Sequence, residues 1–187
     1  MLERLMPRGY VRKIETLLIY SGSKKTPESF MNRTFIVSII AAVGAGLVFF
    51  QYFLIAFGIM FIVAFSMLHG LLILAVEKRS NFVESILPDA LQLMAANIKS
   101  GFIPSRAMLL SARKEFGPLS EAIKRSGKEM MTGKSLQESL TEIPKTIKSD
   151  ILDSTIKLII RGVKAGGQLV ALFEETAVDI RRRDSIK

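Results

Sequence analysis

Gly133-Lys134-Ser135, two groups of carboxylates, one histidine and three basic clusters are the residues of this sequence that could do chemistry. The Gly-Lys-Ser run is similar to the end of a phosphate-binding loop. That loop needs an earlier glycine with four residues between, and a preceding strand. The nearest candidate, Gly127, leaves five residues between, and Met130 and Met131 carry a helical pattern. The better reading is a helix stop followed by a helix start. Asp150 with Asp153, and Glu174 with Glu175 and Asp179, could pair for acid–base work. Acids at such places also suit helix N-termini and solvated faces, and that is the usual explanation. With no Cys there is no thiol nucleophile, no Cys-ligated zinc and no disulfide framework. With one His there is no multi-histidine metal cluster, and any Ser-His-Asp triad would depend on His69. The sequence reads as non-enzymatic, with no catalytic residue, cofactor or metal.

The basic clusters point to binding instead. On a helical wheel Lys157, Arg161 and Lys164 fall opposite Leu152, Ile156, Ile159 and Val163. Arg181, Arg182 and Arg183 form a second cluster, and Lys124, Arg125 and Lys128 a third. A plain solvated face explains such patterns about as well as a function does. The functional readings are an acidic protein partner or anionic lipid headgroups. Nucleic acid fits less well, because no recognition helix or interleaved aromatic platform is visible. We take Lys157, Arg161, Lys164, Arg181, Arg182 and Arg183 as the partner-facing charges.

The elements that must position these residues divide by polarity. The chain has 187 residues, a formal charge of +9 and 49% apolar types, which argues against disorder. From Phe35 to Val76 there are 42 residues without one Asp, Glu, Lys or Arg. One span needs about 20 apolar residues, so the run is long enough for two spans and a tight turn. It is too long, and starts too far from the N-terminus, for a signal peptide. The aromatic group around Gln51 suits an interfacial turn, with spans over about Phe30 to Phe50 and Phe53 to Val76. Arg33, Lys78 and Arg79 flank the outer ends and no basic residue lies in the turn. That bias places both termini in the cytoplasm. Ser38, Ala42 and Gly46, and then Ser66 and Gly70, recur at four-residue spacing, which suits packing of one span on the other. His69 is the one titratable group of the run. A relay needs a chain of partners, so the favoured reading is an imidazole satisfied within the hairpin, with Ser66 one turn earlier.

Residues 1–34 carry seven basic and three acidic side chains. Val11, Ile14, Leu17 and Leu18 have helical spacing, ended by Ser21-Gly22-Ser23. Thr26, Pro27 and Glu28 form a helix-start signal. The first helix suits either the anionic membrane surface or the face of the C-terminal domain, and the sequence does not choose.

Residues 77–187 show helical periods with regular punctuation. Val83, Leu87, Leu91, Met94 and Ile98 form one stripe, ending at Ser100-Gly101. Pro88 lies inside it and predicts a kink or break near Glu84 to Asp89. A helix from Pro104, with Ala107, Leu110 and Ser111 inward, ends at Gly117. Another from Pro118, with Leu119, Ala122, Ile123 and Met130 buried, is broken by Gly133. Ser135 and Glu138 form a capping box for a short helix that ends before Pro144. Ser149 caps the stripe Leu152, Ile156, Ile159 and Val163, which Gly166-Gly167 ends. Leu169, Phe173, Thr176 and Ile180 lie on the last helix. The fold class is therefore all-α: a transmembrane helical hairpin followed by a cytoplasmic six-helix antiparallel bundle. The expected divisions are a basic cytoplasmic segment over 1–34, the hairpin over 35–76 and the bundle over 77–187.

The order of features then becomes informative. After the hairpin come Phe82-Val83-Glu84-Ser85-Ile86-Leu87-Pro88-Asp89-Ala90-Leu91, Ile98-Lys99-Ser100-Gly101-Phe102 and Ala107. Phe116-Gly117-Pro118-Leu119, Thr132-Gly133-Lys134-Ser135-Leu136, and Gly162 to Gly166 before an arginine-ended helix complete the series. Residues 35–187 resemble the F domain family of type II secretion systems. Those proteins are inner-membrane platforms of secretion systems, type IV pili, Tad pili and the archaellum, and the N-terminal pair of spans resembles the Tad and archaellum branch most. The resemblance implies a six-helix cytoplasmic bundle, a multi-subunit assembly and contact with a hexameric secretion ATPase, and no catalytic residues. Family members continue into further spans, and many carry a second F domain, so a fragment or half-length member is expected.

The expected function is an integral membrane platform that couples a secretion ATPase to pilin-like subunits in the lipid bilayer. It would sit as a homo-oligomer in the inner or plasma membrane, without nucleic acid. The alternatives are a two-span channel or transporter component, or a membrane-anchored adaptor that binds anionic lipid.

Overall fold

The structure is a computed structural model, and it describes residues 8–23, 26–48 and 53–184. Among these residues there are eight α-helices and no strand. They are α1 (Arg8–Ser21), α2 (Pro27–Val48), α3 (Phe53–Lys99), α4 (Pro104–Ser111), α5 (Gly117–Met131), α6 (Leu136–Thr141), α7 (Asp150–Lys164) and α8 (Leu169–Asp184). Single 3-10 turns, Lys114–Phe116 and Ile143–Thr146, precede α5 and follow α6. Two compact units result, Met1–Glu77 and Lys78–Lys187.

In the first unit, α1 stops where expected. Gly22 adopts φ +73, a left-handed value that glycine tolerates best, and Ser23 N–H reaches back to the Leu18 carbonyl. Thr26 starts α2, its hydroxyl accepting from Ser29 N–H at 3.3 Å, with Pro27 as the first helical residue. Phe30 meets His69 and Phe35 meets Phe61, so α2 and the start of α3 run antiparallel. The expected turn at Gln51 lies outside the described residues. The buried face of the α1 helix is used within its own unit. Its Ile14 and Leu18 bury against Met31 of α2 and Leu72 of α3.

The small-residue spacing has two outcomes. Ser38 and Ala42 are fully buried, as packing between spans requires. Ser66 is exposed, and open space lies where a side chain on Gly70 would stand. The second small stripe therefore faces away from the hairpin's interior. His69 is satisfied by other groups than Ser66. Its Nδ1 lies 2.9 Å from the Phe65 carbonyl and its Nε2 2.5 Å from the Tyr10 hydroxyl. A carbonyl oxygen only accepts, so in the neutral ring Nδ1 donates to Phe65 and Nε2 accepts from Tyr10. Burial pushes the Tyr10 phenol up from its ordinary value.

Of the kink or break expected near Pro88, the break does not occur. The α3 helix runs unbroken from Phe53 to Lys99 with Pro88 inside it. Proline removes one backbone donor, but Val83, Leu87, Ala90, Leu91 and Met94 bury on both sides of it and hold the helix in the core. The core of the second unit adds Met108, Leu119, Ile123, Leu140, Leu152, Ile159 and Phe173 from the later helices. The C-terminal part of α3 with α4–α8 makes the six-helix bundle.

The α4 helix also departs from expectation, ending at Ser111 rather than Gly117. Ser111 is fully buried; its hydroxyl donates to the Ala107 carbonyl and accepts from Asn97. A hydroxyl tied to its own helix backbone favours termination there. The chain then turns to bury Phe116. Gly117 opens α5 instead, at φ +49, with the Phe82 ring 3.0 Å from where a Cβ would stand. Leu110 is half exposed and Met108 takes its inward place, because the buried row of α4 is Ser105, Met108 and Ser111.

Candidate partner-binding surface

The C-terminal hairpin of α7 and α8 carries the expected partner-facing charges. Its shape is set locally. Ser149 caps α7 by accepting from Leu152 N–H at 3.0 Å, and Asp150 and Asp153 favour the positive end of the helix. The same Ser149 hydroxyl donates to Glu84 of α3 at 2.7 Å. Gly166, at φ +84, ends α7, and Gly167 N–H returns to the Gly162 carbonyl at 2.9 Å. At Gly162 a Cβ would stand 2.5 Å from a Leu172 methyl, so the Leu172 side chain of α8 packs directly over this glycine of α7.

Lys157, Arg161 and Lys164 lie on the exposed side of α7, opposite buried Leu152, Ile156 and Ile159. Lys157 pairs with Asp153 at 2.5 Å. Arg161 and Lys164 make no ion pair among the described residues. Leu158, 51% exposed, adds an apolar edge to this face. Arg181 goes elsewhere: its guanidinium donates to Asp89 at 2.6 Å and to Gln92 at 3.0 Å, both on α3. Arg182 is exposed, and the side chain of Arg183 lies outside the described residues. The α7 cations thus form one surface, while Arg181 serves to join α8 to α3.

The remaining residues singled out from the sequence are caps. Gly101 (φ +90) and Gly133 (φ +102) end helices in the left-handed region. Ser135 and Glu138 make a reciprocal capping box, with Ser135 N–H donating to Glu138 at 3.0 Å and Glu138 N–H to Ser135 at 3.2 Å. The Ser135 hydroxyl, which donates to the Glu138 carboxylate at 2.8 Å, and then the Ser135 N–H hold that carboxyl below its ordinary range. Glu84 was not singled out as a link to α7, and no spacing rule connects it to a residue 65 positions away. Lys99, paired with Glu174 at 2.6 Å, is a similar long-range tie.

Among the described residues one helix is long and apolar enough to cross a membrane. Its apolar side chains point outward: Ile55 is 64% and Ile62 67% exposed. An exposed apolar surface of this kind marks contact with a membrane or a partner. The family model for protein F of the type II secretion system (T2SS) matches residues 90–187. The matched part begins inside α3 and covers the rest of the helical bundle. The chain therefore belongs to the type II secretion system protein F family. Neither curated proteins nor solved structures give a match. Family and exposed apolar helix together indicate a membrane location and partners among membrane-associated secretion machinery.

Proposed function

We propose that this chain is an integral membrane platform protein of a type II secretion, type IV pilus, Tad pilus or archaellum-like assembly machine. The observation that carries this reading is the protein F match over residues 90–187, on a helical bundle whose first helix is the continuation of a long apolar helix. In this reading α2 and the first part of α3 are two spans, and both termini are cytoplasmic. The bundle docks a hexameric secretion ATPase through Lys157, Arg161 and Lys164, and the spans contact pilin-like subunits. The platform works as a homo-oligomer. ATP hydrolysis belongs to the partner, and the chain itself performs no chemical step and binds no nucleic acid.

Charge on an exposed face changes encounter and register with an oppositely charged partner. Capture of the cognate secretion ATPase by the full chain in detergent tests the assignment. Capture should fall about tenfold or more when Lys157, Arg161 and Lys164 are reversed to Glu, allowing about 0.5–1 kcal/mol per rim charge. Undiminished capture would remove these residues from the interface. No capture even by the unaltered chain would remove the ATPase.

A further inference from the structure

The α4 and α5 helices leave an exposed face on which apolar and basic side chains are interleaved. On α4, Ser105, Met108 and Ser111 are buried, while Ile103, Arg106 and Leu110 recur at i, i+3 and i+7 and are exposed. The Arg106 guanidinium lies over the Phe102 ring, 5.7 Å from its centroid. On α5 the exposed row is Lys124, Lys128 and Met131. Packing sets the two rows side by side. A Cβ on Gly127 would stand 3.0 Å from Leu109 and 3.1 Å from the Ser105 carbonyl, so α5 turns Gly127 toward α4. Residues 112–116 join the two helices, which therefore run antiparallel. Met131, one turn past Gly127 and about 40° round the helix, lies toward the start of α4, where Ile103 is. Ile103 is 66% and Met131 68% exposed.

The charges on this face are unmatched. Arg106, Lys124 and Lys128 make no ion pair among the described residues. The neighbouring acids are occupied or turned away. Glu115 pairs with Arg113 at 3.3 Å and Glu129 with Lys134 at 3.1 Å, while Glu121 lies beyond Lys128, further round α5 from Gly127. An apolar patch rimmed by charge marks an interaction site, and its chemistry selects the occupant. The rows extend over about two turns, about 10 Å, and two adjacent helices make a track into which a third helix packs. A helix seated there must carry carboxylates beside apolar residues. A second copy of the same face fits poorly, because a two-fold contact brings the cations of both copies together. A bilayer surface also fits less well. Membrane-surface helices keep apolar and charged faces apart, whereas Arg106 lies between Ile103 and Leu110.

We propose that the α4–α5 face docks an acidic amphipathic helix of a partner protein. Arg106, Lys124 and Lys128 meet its carboxylates, and Ile103, Leu110 and Met131 take its apolar row. The face is separate from the α7 cations, and the proposal stands whether or not those meet an ATPase.

The chain has no cysteine, so Leu110→Cys can carry a single environment-sensitive dye. The test uses the full labelled chain in phosphatidylcholine nanodiscs. The probe is a synthetic helix of about four turns with Leu along one face and Glu on both flanks. A second probe has Lys in place of every Glu. The Glu helix should shift the dye emission saturably and bind about tenfold or more tighter than the Lys helix. R106Q/K124Q/K128Q should lower that affinity about tenfold or more, allowing about twofold to fivefold per rim charge. I103S/M131S should also lower it about tenfold. Lys148→Glu, an exposed cation outside this face, should leave it unchanged. Equal binding of the two probes by the labelled parent overturns the proposal. So does full affinity in either face variant, or an equal loss in Lys148→Glu. A dye shift without probe when phosphatidylglycerol replaces phosphatidylcholine makes the bilayer the occupant. A shift without probe on raising the chain concentration in detergent makes it a second copy. Either result overturns the partner helix.

Discussion

The hydroxyl of Ser149 accepts from Leu152 N–H at the start of α7 and donates to Glu84 of α3 at 2.7 Å. One buried atom thus caps a helix and ties it to another 65 residues away. Ser149→Ala removes the cap and leaves Glu84 without that donor. Loss of a cap costs about 1 kcal/mol, and the lost bond to Glu84, which keeps a longer one from Ser80 at 3.4 Å, adds about 1 kcal/mol. Thermal unfolding of the full chain in detergent should show a clear loss for Ser149→Ala and a smaller one for Ser149→Thr.

The Gly162 contact makes a second expectation. A β-branched side chain there meets Leu172 directly, where a Cβ already stands 2.5 Å from a methyl. Gly162→Val should destabilise by about 1–3 kcal/mol despite removing a helix glycine. The double variant with Leu172→Ala should lose less than the sum of the two single changes, because one clash is removed. Strict additivity in a denaturant cycle would contradict the close approach of α7 and α8.

Arg181 and Asp89 form a short ion pair, yet both side chains are more than half exposed. Solvent screens such pairs, which contribute about 0–1 kcal/mol. Arg181→Ala should therefore change stability by less than about 1 kcal/mol. A larger loss would mean that the Gln92 bond carries more than its exposure allows.

Acid should act first on α6. The Glu138 carboxyl is held low by its bonds to Ser135, so it binds protons more weakly folded than unfolded. A depressed carboxyl contributes stability that is present above its unfolded value and lost as pH falls through the folded value. Amide exchange at Leu136–Thr141 should rise below the ordinary carboxylate range, and Glu138→Gln should flatten that rise. The reverse slope would show that the capping box does not hold the charged form.

The absence of Cys makes single-cysteine labelling clean for topology. Cysteines placed at Gln51 and at Ser185 should react from opposite sides of the bilayer, if both termini are cytoplasmic. Reaction of both from one side would contradict the hairpin topology.

Much of the bundle was legible because its boundaries are chemical. Glycines at left-handed φ, the Ser135–Glu138 box and the Ser149 cap act within a few residues, so spacing reveals them. Two boundaries failed where tertiary contact outweighed a local rule. Core packing on both sides of Pro88 keeps the helix unbroken there, and α4, with the Ser111 hydroxyl tied back to Ala107, ends six residues before Gly117. The basic face of α7 was readable from the wheel alone. Arg181 showed the converse limit: adjacent arginines read as one cluster, but geometry gives this one to α3.

The contact between Tyr10 and His69 bears on how the protein can be handled. A shortened version starting at Thr26 would keep both apolar helices and every residue of the bundle. It would also strip the imidazole Nε2 of its hydroxyl and uncover Leu72. The result would be a bare polar nitrogen on an oily helix, and a preparation prone to clumping for a reason that has nothing to do with the bundle.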